Sequence, residues 1–149
     1  MQIRSVERLS LWLGRVALAA SAIVLLLVAS KFIADPVGAA AASHTSLGSA
    51  VAVTNMRASF GAFPLGCSLV ALGSLTARRR HLAGLLVIAT VLAAVLAVRT
   101  FGIIVDGTLR ESLTVLVAET VLFTLCVVAI VAEVARRGSS KGLDGNVPG

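Results

Sequence analysis

Residues 99–119 read RTFGIIVDGTLRESLTVLVAE, a short polar turn between two long apolar runs, with charge on both arms. The runs lie at 82–105 and 112–134, and each is long enough for a membrane crossing, since a hydrocarbon core of about 30 Å needs roughly 20 apolar residues. Working outward, two more windows of this kind lie at 9–33 and 56–77. The 149 residues are 58% hydrophobic and 13% charged, with a mean hydropathy of +1.00, too apolar for a soluble chain of this length. The runs are continuous and rich in Ala, Leu and Val, whereas the strands of a membrane barrel alternate over segments of about ten residues. The sequence therefore predicts an all-α fold: a polytopic transmembrane four-helix bundle, up-down-up-down, forming one domain over 1–137 with a flexible cytoplasmic tail at 138–149.

The net charge of +6 and pI near 11.1 raise the question of nucleic acid, but the basic residues are placed as a membrane protein places them. Arg4, Arg8 and Arg15 precede the first crossing, Arg78, Arg79 and Arg80 join the second to the third, and Arg136, Arg137 and Lys141 follow the fourth. Nine of the thirteen basic residues thus share one side, against Lys31, Arg57, Arg99 and Arg110 toward the other. The positive-inside rule makes that side, with both termini, cytoplasmic. No nucleic-acid motif or aromatic interleaving is present, and the basic side faces anionic lipid headgroups instead. The placement fits a multi-pass protein of the bacterial cytoplasmic (inner) membrane.

A basic start followed by an apolar run also describes a signal peptide. Here the run exceeds signal length, and the small residues Ala39–Ser43 lie too far beyond it for a cleavage site, so it reads as a retained crossing. Trp12 and Arg15 suit the interfacial belt. Asp35-Pro36 ends the first helix, with Lys31 and Asp35 as an i,i+4 pair. The weakly polar segment 37–55 is long for a bundle connection and fits a cap over the outer mouth. His44 within it reads as solvated. Asn55 is the expected N-cap of the second crossing, where Pro64 removes one backbone donor and should bend the helix, freeing a carbonyl in the outer half. On that crossing Arg57, Gly61, Pro64, Ser68 and Ala71 share one face, while Ala58, Ala62 and Gly66 form a ridge of the kind that lets membrane helices approach closely. In the last crossing Ser112, Glu119, Cys126 and Glu133 recur every seven residues as one stripe, and Glu133 has Arg136 and Arg137 as neighbours for an interfacial ion pair. Cys67 and Cys126 lie inside apolar runs without a CxxC spacing and read as small buried hydrophobes.

The hairpin yields a depth argument. Arg99 and Glu119 are each about ten residues from its tip, so at ~1.5 Å per residue they fall at matched depth on neighbouring helices, roughly 10 Å below the outer end. Arg57 and Asp106 stand nearer that end, and a convergence of two positive and two negative side chains from three helices is predicted. Its neutrality is what an internal network requires. A structural network that fixes helix register and a functional polar site both fit this pattern.

At these residues the chain resembles the bacterial domain of unknown function 4345 family of small four-helix membrane proteins. The resemblance spans about 57–119. It is carried by Arg57-Ala58 with Phe60-Gly61, by Arg99 with Asp106-Gly107, and by Glu119, with Ala62 standing where that family often has a second glycine. It implies a four-helix bundle, a relation to the DoxX-like membrane proteins, and no established activity.

Enzyme signatures are missing: there is no cysteine pair, HExxH, histidine cluster, nucleophile elbow or Gly-rich phosphate loop, and no cofactor or metal set is indicated. The sequence favours a non-enzymatic protein that uses Arg57, Arg99, Asp106 and Glu119 to hold a small anion, a lipid headgroup or a quinone-like molecule. Two alternatives are proton-coupled transport by an oligomer, with Glu119 carrying the proton, and an accessory subunit that binds another membrane protein through its small-residue ridges.

Overall fold

The computed structural model describes residues 2–144, with side chains from 10 to 138. The side chains of Arg4, Arg8 and Lys141, and the tail residues 145–149, lie outside the described residues. Every regular element among those described is helical: α1 (Gln2–Ala34), α2 (Pro36–Ala41), α3 (Ala50–Met56), α4 (Phe63–Leu75), α5 (His81–Asp106) and α6 (Leu109–Asp144). Four stretches are long and apolar enough to cross a membrane: Ser10–Ala34, Ala50–Leu75, Arg78–Asp106 and Leu109–Gly138. The last helix continues to Asp144, past the boundary at Gly138 where the sequence suggested a tail.

The second crossing starts earlier than expected. Asn55 is not its cap; Ser49, in extended conformation, accepts a hydrogen bond from the Ala52 N–H at 3.2 Å and starts α3 at Ala50, leaving Asn55 inside the helix. From α3 the chain passes through a π-helical segment, Arg57–Ala62, directly into α4. The cause lies at Pro64. Its ring nitrogen has no hydrogen to offer the carbonyl four residues back, and the ladder ahead of it widens, as π segments do where α-helical bonding is interrupted.

The other boundaries follow local chemistry. Asp35 does not pair with Lys31; its carboxylate accepts the Gly38 N–H at 2.9 Å and caps α2, with Pro36 in the first turn. The orphan N–H groups of a helix start outcompete a flexible exposed lysine for that carboxylate. His44, at φ 56°, turns the chain out of α2. At the far end of α5, Gly107 takes the left-handed conformation (φ 69°) and donates its N–H to the Ile103 carbonyl at 3.0 Å, which makes the Asp106-Gly107 turn.

One apolar cluster holds the long helices together. It includes Leu18 and Ala22 of α1, Ala71 of α4, Leu85 and Ile88 of α5, and Cys126 of α6. Small residues bring the backbones close: a Cβ placed on Gly84 would collide with Ser74 and stand 3.3 Å from Leu18. Hydrogen bonds cross the same layer. The Ser68 hydroxyl donates to the Ala22 carbonyl at 2.9 Å, and Ser21, which donates to Ala17, lies 3.7 Å from the Cys126 Sγ. Both cysteines are free and buried.

This cluster occupies only one half of the bundle, the basal half, which includes the Arg78–Arg80 turn. On α5 no residue beyond Leu92 is buried, and on α6 none before Leu122. In the distal half, α1 packs on the π segment, where a Cβ on the buried Gly61 would stand 2.7 Å from Ile33, and Phe32 and Phe60 lie with ring centroids 5.3 Å apart. There α5 and α6 face each other through half-buried Leu96, Arg99 and Ile103 on one side and Ser112, Leu116 and Glu119 on the other.

Candidate functional site

Arg99 and Glu119 meet. Arg99 donates from Nε to one carboxylate oxygen of Glu119 at 2.6 Å and from Nη2 to the other at 2.7 Å, a side-on fork that leaves Nη1 unused. This planar match is the strongest ion-pair geometry open to a guanidinium and a carboxylate. The side chains keep 31% and 18% of their exposure. Arg99 also lines an open groove of about 410 Å³ whose other walls are Ala94, Val95 and Val98.

Arg57 and Asp106 do not join this pair. Arg57 is exposed and donates from Nε to the Ile33 carbonyl at 3.3 Å, in the last turn of α1. That carbonyl lacks an intrahelical donor, and the negative end of the helix dipole favours a cation there. Asp106 ends α5, exposed, with its carboxylate lying back along its own helix near Gly102. Neither forms an ion pair within 4.0 Å among the described residues. The expected four-charge layer is therefore a two-residue pair, because the π segment carries Arg57 on the α1 side of the bundle while Asp106 closes the α5–α6 hairpin.

At the basal end, Glu133 is 3% exposed and accepts from Arg136 at 2.9 and 2.7 Å and from Arg137 at 2.9 Å. These are the ion-pair partners that the sequence suggested for Glu133. Ser112, Glu119, Cys126 and Glu133 lie on one inward stripe, half-buried to buried along its length. The small ridge of Ala58, Ala62 and Gly66 is exposed along its whole length.

Sequence reasoning missed His81. It stands between the Arg78–Arg80 turn and the apolar run that starts at 82, yet it opens α5, is 2% exposed, and its Nε2 has no hydrogen-bond partner among the described residues. The signal was available, because His81 stands at helical spacing with the buried Gly84, Leu85, Ile88, Ala89 and Leu92. Among the described residues, no group of three or more His, Cys, Asp or Glu side chains is arranged to hold a metal ion.

A described chain whose regular elements are all helical, with four stretches long and apolar enough to cross a membrane, fits a class, the multi-pass helical membrane protein, and the Arg99–Glu119 pair joins two of those stretches. No family model, curated protein or solved structure matches the chain.

Proposed function

We propose that this is a four-crossing protein of the bacterial cytoplasmic membrane that holds a small molecule at the Arg99–Glu119 pair without transforming it. The candidate ligands are a small anion, a lipid headgroup and a quinone-like molecule. The observation that carries the reading is the unused face of Arg99: a permanently charged group, 31% exposed, opening on an apolar groove at membrane depth. Ionisable side chains are costly in hydrocarbon and concentrate where they serve ligands or ions.

Up-down-up-down crossing is supported by pairs that run in opposite order along the chain, Ile33 beside Gly61 and Ala22 beside Ser68. Cytoplasmic termini follow from the basic residues at the Arg78–Arg80 end. Terminal tags reached only from the outside would overturn this orientation. The resemblance to the domain of unknown function 4345 family agrees with the architecture and adds no activity.

The test is a charge swap. Arg99→Glu with Glu119→Arg keeps an ion pair but moves the guanidinium to α6. In lipid nanodiscs the swapped protein should keep its melting temperature while mass spectrometry of extracted small molecules loses a component that wild type retains. An identical set of extracted molecules would reduce the pair to a structural clasp.

A further inference from the structure

Arg99 presents three N–H hydrogens that no described protein atom accepts, both of those on Nη1 and the second on Nη2. Its Nε and Nη2 are committed to Glu119, and Nη1 makes no hydrogen bond. In hydrocarbon, water is scarce and an unpaired donor is expensive. We propose that Nη1 donates to a neutral, lipid-dissolved carbonyl compound, a quinone-like ring that enters sideways from the bilayer and lies in the groove of Ala94, Val95 and Val98. This rests on the binding-site reading above and narrows it to one ligand class.

Charge selects the class. Both oxygens of Glu119 already face the guanidinium, so the pair is neutral as it stands. A further anion would leave the site net negative at membrane depth, where an uncompensated charge is disfavoured. A carbonyl oxygen accepts from Nη1 and adds no charge.

Direction separates a dissolved ring from a phospholipid ester. Side chains on a helix lean toward its N-terminus, and on α5 that is away from the Gly107 turn. Arg99 starts seven residues before Asp106, the end of α5, or ~10 Å in from it, and it leans deeper still, over Ala94 and Val95. Those residues line the same groove. Ester carbonyls sit at the edge of the hydrocarbon and miss a donor that points inward, whereas a carbonyl on a molecule dissolved among the acyl chains reaches it.

Access is lateral. Val98 is 72% exposed, and the groove is open along α5. Its other walls are apolar, which suits a flat ring with one hydrogen-bond acceptor.

The experiment uses the full chain in nanodiscs of ether-linked phosphatidylcholine, which has no ester carbonyls. Trp12, the one native tryptophan, is replaced by Phe, and Val98→Trp provides a fluorophore beside the groove. Titration with a short-chain alkyl benzoquinone should quench this reporter to saturation, while Ile23→Trp, exposed on α1, is quenched only in proportion to concentration. Arg99→Gln with Glu119→Gln, or Ala94→Trp should the first variant fail to fold, should weaken saturable quenching about tenfold or more, the scale of one lost hydrogen bond and its packing. The Ala94→Trp variant is read by radiolabelled quinone, and laurate should not compete. If laurate displaces the quinone or binds in its place, the neutral class is wrong and the binding site stands. If neither binds saturably, the inference falls, and the charge swap above decides whether the binding site falls with it.

Discussion

In the basal half of the bundle Leu18, Leu85, Ile88 and Cys126 are fully buried in one cluster, whereas in the distal half α5 and α6 bury no residue at all. The two halves are joined by different physics. Lipid tails are as apolar as leucine, so membrane helices associate through close packing and polar contacts rather than the hydrophobic effect. The basal half uses packing, with Gly84, Ala71 and Ala22 bringing backbones together. The distal half uses directional contacts within helix pairs: Arg57 on the Ile33 carbonyl, and Arg99 on Glu119. Packing is rigid and indifferent to ligands, whereas a polar clasp with spare donors is available to them.

Damage should therefore be greatest in the basal half. Gly84→Val puts a branched side chain where even a Cβ collides with Ser74, and overpacking should cost about 3 kcal/mol or more. The expected result is loss of the monodisperse species on size exclusion in mild detergent. A Gly84→Val protein that melts like wild type would show that α4 and α5 move apart freely, and the contrast between the halves would disappear.

In the distal half the largest effect should come from stranding a charge. Glu119→Ala leaves Arg99 without its partner, at a cost of up to about 3 kcal/mol, close to what insertion scales assign to a charged residue within a crossing. Arg99→Leu with Glu119→Leu should recover most of the melting temperature, since a replaced pair is far cheaper than a broken one. If the double variant melts as low as Glu119→Ala, the clasp contributes more than charge compensation, and the distal half is a packed element after all.

Smaller still is Ser68→Ala, which removes the hydroxyl that donates to the Ala22 carbonyl across the basal layer. Interhelical hydrogen bonds of this kind contribute about 0.6 kcal/mol on average, so the shift in unfolding midpoint should be about a fifth of that for Gly84→Val.

Much of this arrangement was legible beforehand, and the failures share a cause. The four crossings follow from apolar run length alone, the Arg99–Glu119 pair from residue counting on either side of Asp106-Gly107, and the stripe from Ser112 to Glu133 from its heptad spacing. Counting gives depth along a helix but not azimuth around the bundle. Residue counting assigns Arg57 the wrong neighbour, because a π segment resets the rotation of everything before it. Asn55 is the expected cap when the apolar run alone is taken as the helix, whereas the Ser49 side-chain oxygen starts the helix six residues earlier. His81 was missed because the neighbouring arginines made the segment look like loop, while its helical spacing with Leu85 and Ile88 pointed inward.

The smallest predicted effect on stability concerns that azimuth. Pro64→Ala restores a backbone N–H in the turn after the π segment, and the ladder is then free to return to i→i+4 bonding. Removing the extra residue from the turn rotates α3 by about 100° relative to α4. Such a rotation would carry Arg57 off the Ile33 carbonyl and move Gly61 out of its contact with Ile33. One hydrogen bond gained offsets one lost, so the melting temperature should stay nearly where it is, with a net change smaller than the ~0.6 kcal/mol of Ser68→Ala. Amide exchange is the sensitive readout: protection at Gly61 and Ala62 should rise as the widened turn closes. Unchanged exchange would mean that the Gly61–Ile33 contact, rather than Pro64, holds the π segment open, and that packing governs the distal half at α1 while a polar clasp governs it at α5 and α6.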